Sequence, residues 1–343
     1  MANNIIQEKE KNFPNHKLHK NHFFLSSIND WAYGSVAERS IRIAETGVRF
    51  SLGPPKISGG YYQNIMKNFE KFVDDRATLK RLYDHIKNSL VSSEIPLETF
   101  VDLYGAEAVE RDKKYIAEKE KLFAQSSYRE QAENHQLARI FETIFHDHAE
   151  LSEWLGANAM TIKCSRYDDI CNGIDTIAEF QEGESSASHL GLAIDVTTAQ
   201  GLIKKFDRIR DEIDRGKLAK VKYFVSKNMN IRGELSNIPR VVIGADRSTV
   251  KELGELYLDK DYQALAEHPI QFQVLDEIVE ELQAFQQYAL RVKQPKLVRV
   301  FGNMQKLAEN IISEKRKTVE DSGKRDAVYA AIQGQLVHFE NLI

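Results

Sequence analysis

The stretch RYDDICNGIDTIAEF, residues 166–180, is followed shortly by LGLAIDVTTA, residues 190–199. Both contain short apolar runs of strand type, and both carry aspartates inside them. A strand core excludes charge unless something binds it or the charge faces water. In residues 190–197, Leu190, Leu192, Ile194 and Val196 share one face, and Gly191, Ala193, Asp195 and Thr197 share the other. Asp195 thus emerges among small residues, where a ligand or a neighbouring backbone has room. In residues 173–180, Asp175, Ile177 and Glu179 share a face. If the two strands pair, Asp175 and Asp195 lie side by side. Carboxylates that close repel strongly in a low dielectric unless one is protonated or a cation lies between them. A hard divalent ion such as Mg²⁺, or Mn²⁺, suits such oxygen ligands.

Upstream, HQLARIFETIFHDHAELSEWLG reads as an amphipathic helix. Leu137, Ile140, Phe141, Ile144, Phe145, Leu151 and Leu155 form its apolar side. His146, Glu150 and Glu153 follow one another along a second face, so Glu150 is a third candidate ligand for the same cation. The alternative is that Glu150 and Glu153 only line a solvated side. AMTIKCS then reads as a strand. Asn172-Gly173 reads as a tight turn between strands, with Asp168 and Asp169 before it in positions where aspartate is common for local reasons. Downstream come a helix with Thr198 as candidate N-cap, strands at KVKYFVSK and PRVVIGA, and a helix opened by Ser248 with Glu252 near the capping-box position.

This order implies an α/β fold: a mixed sheet flanked by helices over 137–258, with helical extensions on both sides. Residues 61–136 and 259–343 read as helical regions, and 1–60 as an irregular arm. The arm holds His16, His19 and His22, which could share one side of a helix, and a Pro/Gly loop at 51–60. The 343 residues are 42% hydrophobic, enough for a substantial core, and the net charge is −4. That balance excludes a broadly basic nucleic-acid coat but allows a local basic groove. Two cysteines, Cys164 and Cys171, with no zinc spacing, suit a reducing cytoplasm. No signal peptide or membrane span is expected. G-x-S-x-G, G-x-G-x-x-G and the P-loop pattern are all missing.

A helix with a Glu, a strand, a hairpin strand bearing Asp, and a strand bearing [D/E]-x-K make the core of the PD-(D/E)XK nuclease superfamily. Over roughly 140–245 this chain resembles it, with Glu150 (or Glu153), Asp175 and Asp195 at the matching positions. The resemblance implies a restriction-endonuclease-like sheet in which these carboxylates bind Mg²⁺ and metal-activated water cuts a phosphodiester. The lysine of the motif is replaced by Thr197. Lys163, Lys204, Lys205 and Lys222 are the substitutes at hand, and Lys205 is the choice because its helix returns toward the strand end. The expected function is a Mg²⁺-dependent DNA nuclease, with Asp175, Asp195 and Lys205 as catalytic residues. The alternatives are a catalytically degenerate nuclease-like core that binds nucleic acid or protein, and an assembly protein whose charged helices drive homo-oligomers.

Overall fold

The computed structural model describes residues 77–86, 94–126, 129–183, 186–195 and 199–340. For 123–126, 129–132, 193–195, 199–200 and 340 it describes the backbone alone. The arm at 1–60 with its histidines and its loop, the first part of the 61–136 region, Thr197 and Thr198 lie outside the described residues. Residues Phe69–Ile343 fall in one compact unit.

A helix over 77–86 is followed by a 3-10 turn, Leu97–Phe100, running into Val101–Tyr104. Gly105, with φ at 80°, ends this run, as its sequence suggests. Then come α1 (Ala106–Ser126), α2 (Arg129–Leu151), β1 (Ala159–Lys163), α3 (Arg166–Asn172), β2 (Thr176–Gly183), β3 (Ser186–Asp195) and α4 (Ala199–Asp214). The strands β4 (Ala219–Val225), β5 (Arg232–Ile238) and β6 (Arg240–Gly244) follow, and then α5 (Arg247–Asp259). The chain continues through α6 (Tyr262–Glu267), α7 (Ile270–Arg291), α8 (Pro295–Lys315) and α9 (Ala327–Glu340). Among the described residues no helix is long and apolar enough to cross a membrane.

The main sheet has the order β1-β2-β3-β6, and is mixed as expected. β2 lies antiparallel to both β1 and β3, and β6 lies parallel to β3. The period-2 alternation decides what each face meets. Ala178, Leu190, Leu192, Val241 and Ile243 join Ile140, Phe141, Ile144 and Phe145 of α2 in the large core. Ile162, Cys164 and Ile177 turn the other way and pack on Val221, Phe224 and Ile238 of the β4–β5 hairpin.

Three local readings change. Residues 166–172 form the helix α3 rather than a strand end. Ser165 caps it by accepting the Asp168 N–H at 3.1 Å, and Gly173, left-handed at φ 61°, stops it. Seven residues are too few for helical periodicity to show, so the Asn-Gly pair imitates a strand turn. β5 (RGELSNI) is mostly exposed and carries no apolar alternation, so the sequence pattern does not reveal it. It pairs with β4 in a separate two-stranded sheet. The cap of α5 is Asp246, whose carboxylate accepts the Thr249 N–H at 2.9 Å, one turn-residue pair earlier than Ser248.

Asp168, fully buried, joins α3 to the hairpin. It accepts the backbone N–H of Lys222 at 2.7 Å and of Tyr223 at 3.0 Å, the Ser165 hydroxyl at 2.7 Å and the Asn172 amide at 2.6 Å. Beside it the Lys222 ammonium lies 5.1, 5.4 and 5.2 Å from the ring centres of Tyr104, Tyr167 and Tyr223, and pairs with Asp112 at 2.5 Å.

The outer edge of β6 is closed by side chains of α7. Glu281 Oε2 accepts the Val242 N–H at 2.8 Å, and Glu277 Oε2 accepts the Gly244 N–H at 3.0 Å. Gln273 donates to the Gly244 carbonyl at 3.0 Å. The spacing of four residues on the helix against two on the strand lets one helix face run along the edge. Burial, with Glu281 and Asp326 nearby, holds the Glu277 carboxyl well above the usual range, against the Gly244 N–H and Gln273. Glu281 is raised likewise by burial and Glu280, against the Val242 N–H and Lys205.

Two outcomes follow from this architecture. Asp168→Ala leaves two buried backbone donors unmet and is expected to lower stability by about 3 kcal/mol in urea unfolding; a loss under ~1 kcal/mol would contradict its role as the joint. Glu277 has a folded pKa above its unfolded one, so its stabilising contribution is complete below the unfolded value near ~4.3 and is lost as pH rises above it. The wild type should therefore weaken from acid to mildly alkaline pH, and Glu277→Gln should weaken less, keeping the part of the dependence that Glu281 supplies.

Candidate functional site

β1, β3 and β6 run in one direction and β2 in the other, so three strand carboxyl ends meet the start of β2 at one edge of the sheet. Such edges are where open α/β sheets take ligands. A cleft of about 690 Å³ opens there, walled by α2, α3 and α4, with Asp175, Arg240 and Val242 from the sheet side and Glu120 from α1.

The helical walls follow from periodicity. His135, Arg139 and Glu142 stand on one face of α2, and Lys204, Lys205 and Arg208 on one face of α4. Arg166 and Asp169 come from α3. Basic side chains outnumber acidic ones: Arg139, Arg166, Lys204, Lys205, Arg208 and Arg240 stand against Glu120, Glu142, Asp169 and Asp175. The cleft thus concentrates positive charge in a chain whose net charge is −4.

Many of these charges hold one another. Arg166 pairs with Asp169, and with Glu120 at 2.7 Å. Arg208 donates to the Cys171 carbonyl at 2.7 Å, and Arg240 to the Asn172 and Gly173 carbonyls and to Glu212 at 2.5 Å. These two arginines therefore cap the carbonyl end of α3. Arg240 is only 4% exposed, and its Nε has no hydrogen-bond acceptor among the described residues. Under the cleft, Lys163 of β1 is buried against Glu142, which also faces Arg139 at 3.4 Å. Burial lowers the pKa of Lys163, opposed by Asp175 and Asp169. His135 is exposed at the cleft mouth; partial desolvation by the surrounding cleft and the neighbouring Arg139 and Arg166 lower its pKa.

The structure brings together two of the residues singled out from sequence, Asp175 and Lys205, both lining this cleft. Asp175 is half-buried; its N–H donates to the Leu192 carbonyl at 3.0 Å, extending the β2–β3 ladder. Ile177 pairs with Gly191, which puts positions 175 and 195 on the same face of adjacent strands. The Asp195 backbone pairs with Gly244 of β6. Glu150 is placed elsewhere. Its Oε1 accepts the Thr161 N–H at 2.8 Å and faces the Lys227 ammonium at 2.6 Å, and it does not line the cleft. Glu153 lies past the end of α2, with φ at 50°. The α2 carboxylate in the cleft is Glu142, two turns before Glu150. Its signal in the sequence is a polar pair, Glu142-Thr143, set inside the apolar series Ile140, Phe141, Ile144 and Phe145.

Of the other lysines considered, Lys204 lines the cleft, Lys163 is the buried ion-pair partner of Glu142, and Lys222 sits in the tyrosine cage. His189 bonds Glu179 at 3.0 Å, away from the cleft. Among the described residues no group of three or more His, Cys, Asp or Glu side chains is arranged to hold a metal ion. Comparison with protein-family models, with curated proteins and with solved structures finds no match to this chain.

The buried Lys163–Glu142 pair makes a double-mutant cycle informative. Lys163→Met or Glu142→Gln alone should each cost about 3 kcal/mol, because the remaining charge stays buried. The combined variant should cost clearly less than their sum; strict additivity would show that the two do not depend on each other.

Proposed function

We propose that this chain is a Mg²⁺-dependent nuclease that hydrolyses phosphodiester bonds of DNA in the cleft between α2, α3 and α4. The observation that carries this reading is a half-buried carboxylate, Asp175, within a cleft where basic side chains predominate. Helix, strand and β-hairpin also follow one another in the order that the nuclease resemblance implies, with β6 parallel to β3.

The donor set suits the ion. Both oxygens of Glu142 face cations, and Glu150 is held by Thr161 and Lys227, so neither belongs to the ligand set. The candidate ligands are Asp175, which lines the cleft, and Asp195, whose position shares a face with it on the adjacent strand. Mg²⁺ commonly takes one or two carboxylates and keeps several waters, so two aspartates are enough. Mn²⁺ would serve equally. Bound there, the ion would activate water and offset charge on the phosphate. Lys205, and Lys204 beside it, would draw the phosphate backbone toward Asp175, with binding that weakens as salt rises. Arg208 and Arg240 would add their field while holding the end of α3. Free Cys164 and Cys171 accord with a reducing cytoplasm as its setting.

A second reading is a nuclease-like core that binds nucleic acid without cutting it. Thr197 at the motif lysine and the ion-paired state of Glu142 favour it. The test is a cleavage assay on single-stranded, double-stranded and branched DNA with Mg²⁺, Mn²⁺ or EDTA. The nuclease reading expects metal-dependent cutting that falls by about 100-fold or more in Asp175→Asn and in Asp195→Asn. Cutting unaffected by both variants would sink it, and salt-sensitive binding with no cutting would establish the second reading.

A further inference from the structure

The cleft has a chemical division that the nuclease reading does not use. Its rim is basic: Lys204 is exposed, and Lys205 and Arg208 are half-buried. Its inner surface carries an apolar set, Ala138 of α2, Ile170 of α3, Ile209 of α4 and Val242 of β6. Ala138 and Ile170 are half-buried and form the open surface of this floor, backed by Ile209, 2% exposed, and the fully buried Val242. A phosphate backbone alone has no use for an apolar floor. A base does, once it has left its stack. The volume of about 690 Å³ is that of a small-molecule pocket rather than of a groove tracking a duplex. A paired base is stacked between its neighbours and cannot reach such a floor without paying the unstacking energy.

We infer that the cleft takes an unpaired nucleotide, its phosphate on the α4 rim and its base against the floor of Ala138, Ile170, Ile209 and Val242. This rests on the nucleic-acid reading of the same cleft and narrows it: the substrate is single-stranded DNA or a free strand end rather than closed duplex. His135, at the mouth on α2 and exposed, offers a flat ring to a base leaving the floor. The buried Arg240 Nε, without an acceptor among the described residues, adds a donor beneath the phosphate position. The arrangement selects by shape and stacking, so no base identity is required.

The test is equilibrium binding by fluorescence anisotropy, in EDTA so that no cutting intervenes, with the full chain. Three probes are compared: a single-stranded oligonucleotide, a duplex of the same sequence closed by hairpins at both ends, and a mononucleotide as competitor. Single strand should bind about tenfold tighter than closed duplex. Competition by the mononucleotide at moderate concentration would assign recognition to the nucleotide unit; its failure beside tight single-strand binding would assign it to the strand, and both support the inference. Ala138→Phe, which fills the floor without changing charge, should remove the single-strand preference and leave duplex binding as it was. Lys204→Glu, at an exposed site, should weaken all DNA probes together. Thermal unfolding of each variant verifies the fold. Equal affinity for single strand and closed duplex, or an unchanged preference in a folded Ala138→Phe, would overturn the inference alone. No binding of any DNA at low salt would overturn it together with the nucleic-acid reading.

Discussion

A parallel strand at the edge of a sheet exposes a row of unpaired backbone donors, and β6 would be such a strand. The rest of the fold depends on how that edge is closed. Gln273, Glu277 and Glu281 stand four residues apart on α7 and meet Gly244 and Val242 in turn. A backbone N–H left unmet in that position costs ~1–3 kcal/mol, so the helix acts as a further strand made of side chains. Burial pushes both carboxyls well above the usual carboxylate range in this role, against the backbone donors that they accept. The same contact ties the C-terminal helices to the sheet. Gln273 also meets Asp326 at 2.9 Å, and Asp326 in turn accepts the Asp246 N–H at 2.7 Å, so α5, α7 and α9 converge on the end of β6. Because Val242 belongs both to this edge and to the cleft floor, the site rests on helices outside the α/β core.

A second buried carboxylate organises the opposite side. Asp168 gathers two backbone donors of β4 and two side chains of α3, so the hairpin cannot move independently of α3. Arg208 and Arg240 then hold the carbonyl end of the same helix. Both wall and floor of the cleft are thus set by contacts whose partners are far apart in the chain. Asp168 and Asp169 are sequence neighbours with opposite duties: the first is fully buried in the joint, the second faces the cleft beside Arg166.

That division explains what was legible in the sequence. The alternation in 190–195 and the amphipathic pattern of α2 reveal sheet and helix, because each reports burial of one face by local periodicity. The shared face of positions 175 and 195 follows from the same rule. Partner choice does not. Glu150 and Glu142 share a similar pattern, and only the placement of Thr161 and Lys227 sends the first away from the cleft. α3 is hidden because seven residues and an Asn-Gly end carry a strand-turn signature. β5 is hidden because a polar two-stranded ribbon buries little. The edge clamp is hidden because Glu277 and Glu281, read alone, look like the solvated side of a helix.

The cleft's charges differ in how firmly they are engaged, and that difference bears on what can bind. Arg166, Arg208 and Arg240 are committed to neighbouring carboxylates and carbonyls, and Lys163 and Arg139 to Glu142. A planar guanidinium can make such bonds and still present positive charge outward, whereas an ammonium is a mobile point charge on a flexible stem. The arginines therefore build the cleft and supply a standing field. Lys204 stands exposed on the α4 rim, where an arriving phosphate could meet it without dismantling the wall. An anion drawn to that rim need not compete with the contacts that shape the cleft, so a binding surface and a load-sharing ion network can share one cleft on different residues.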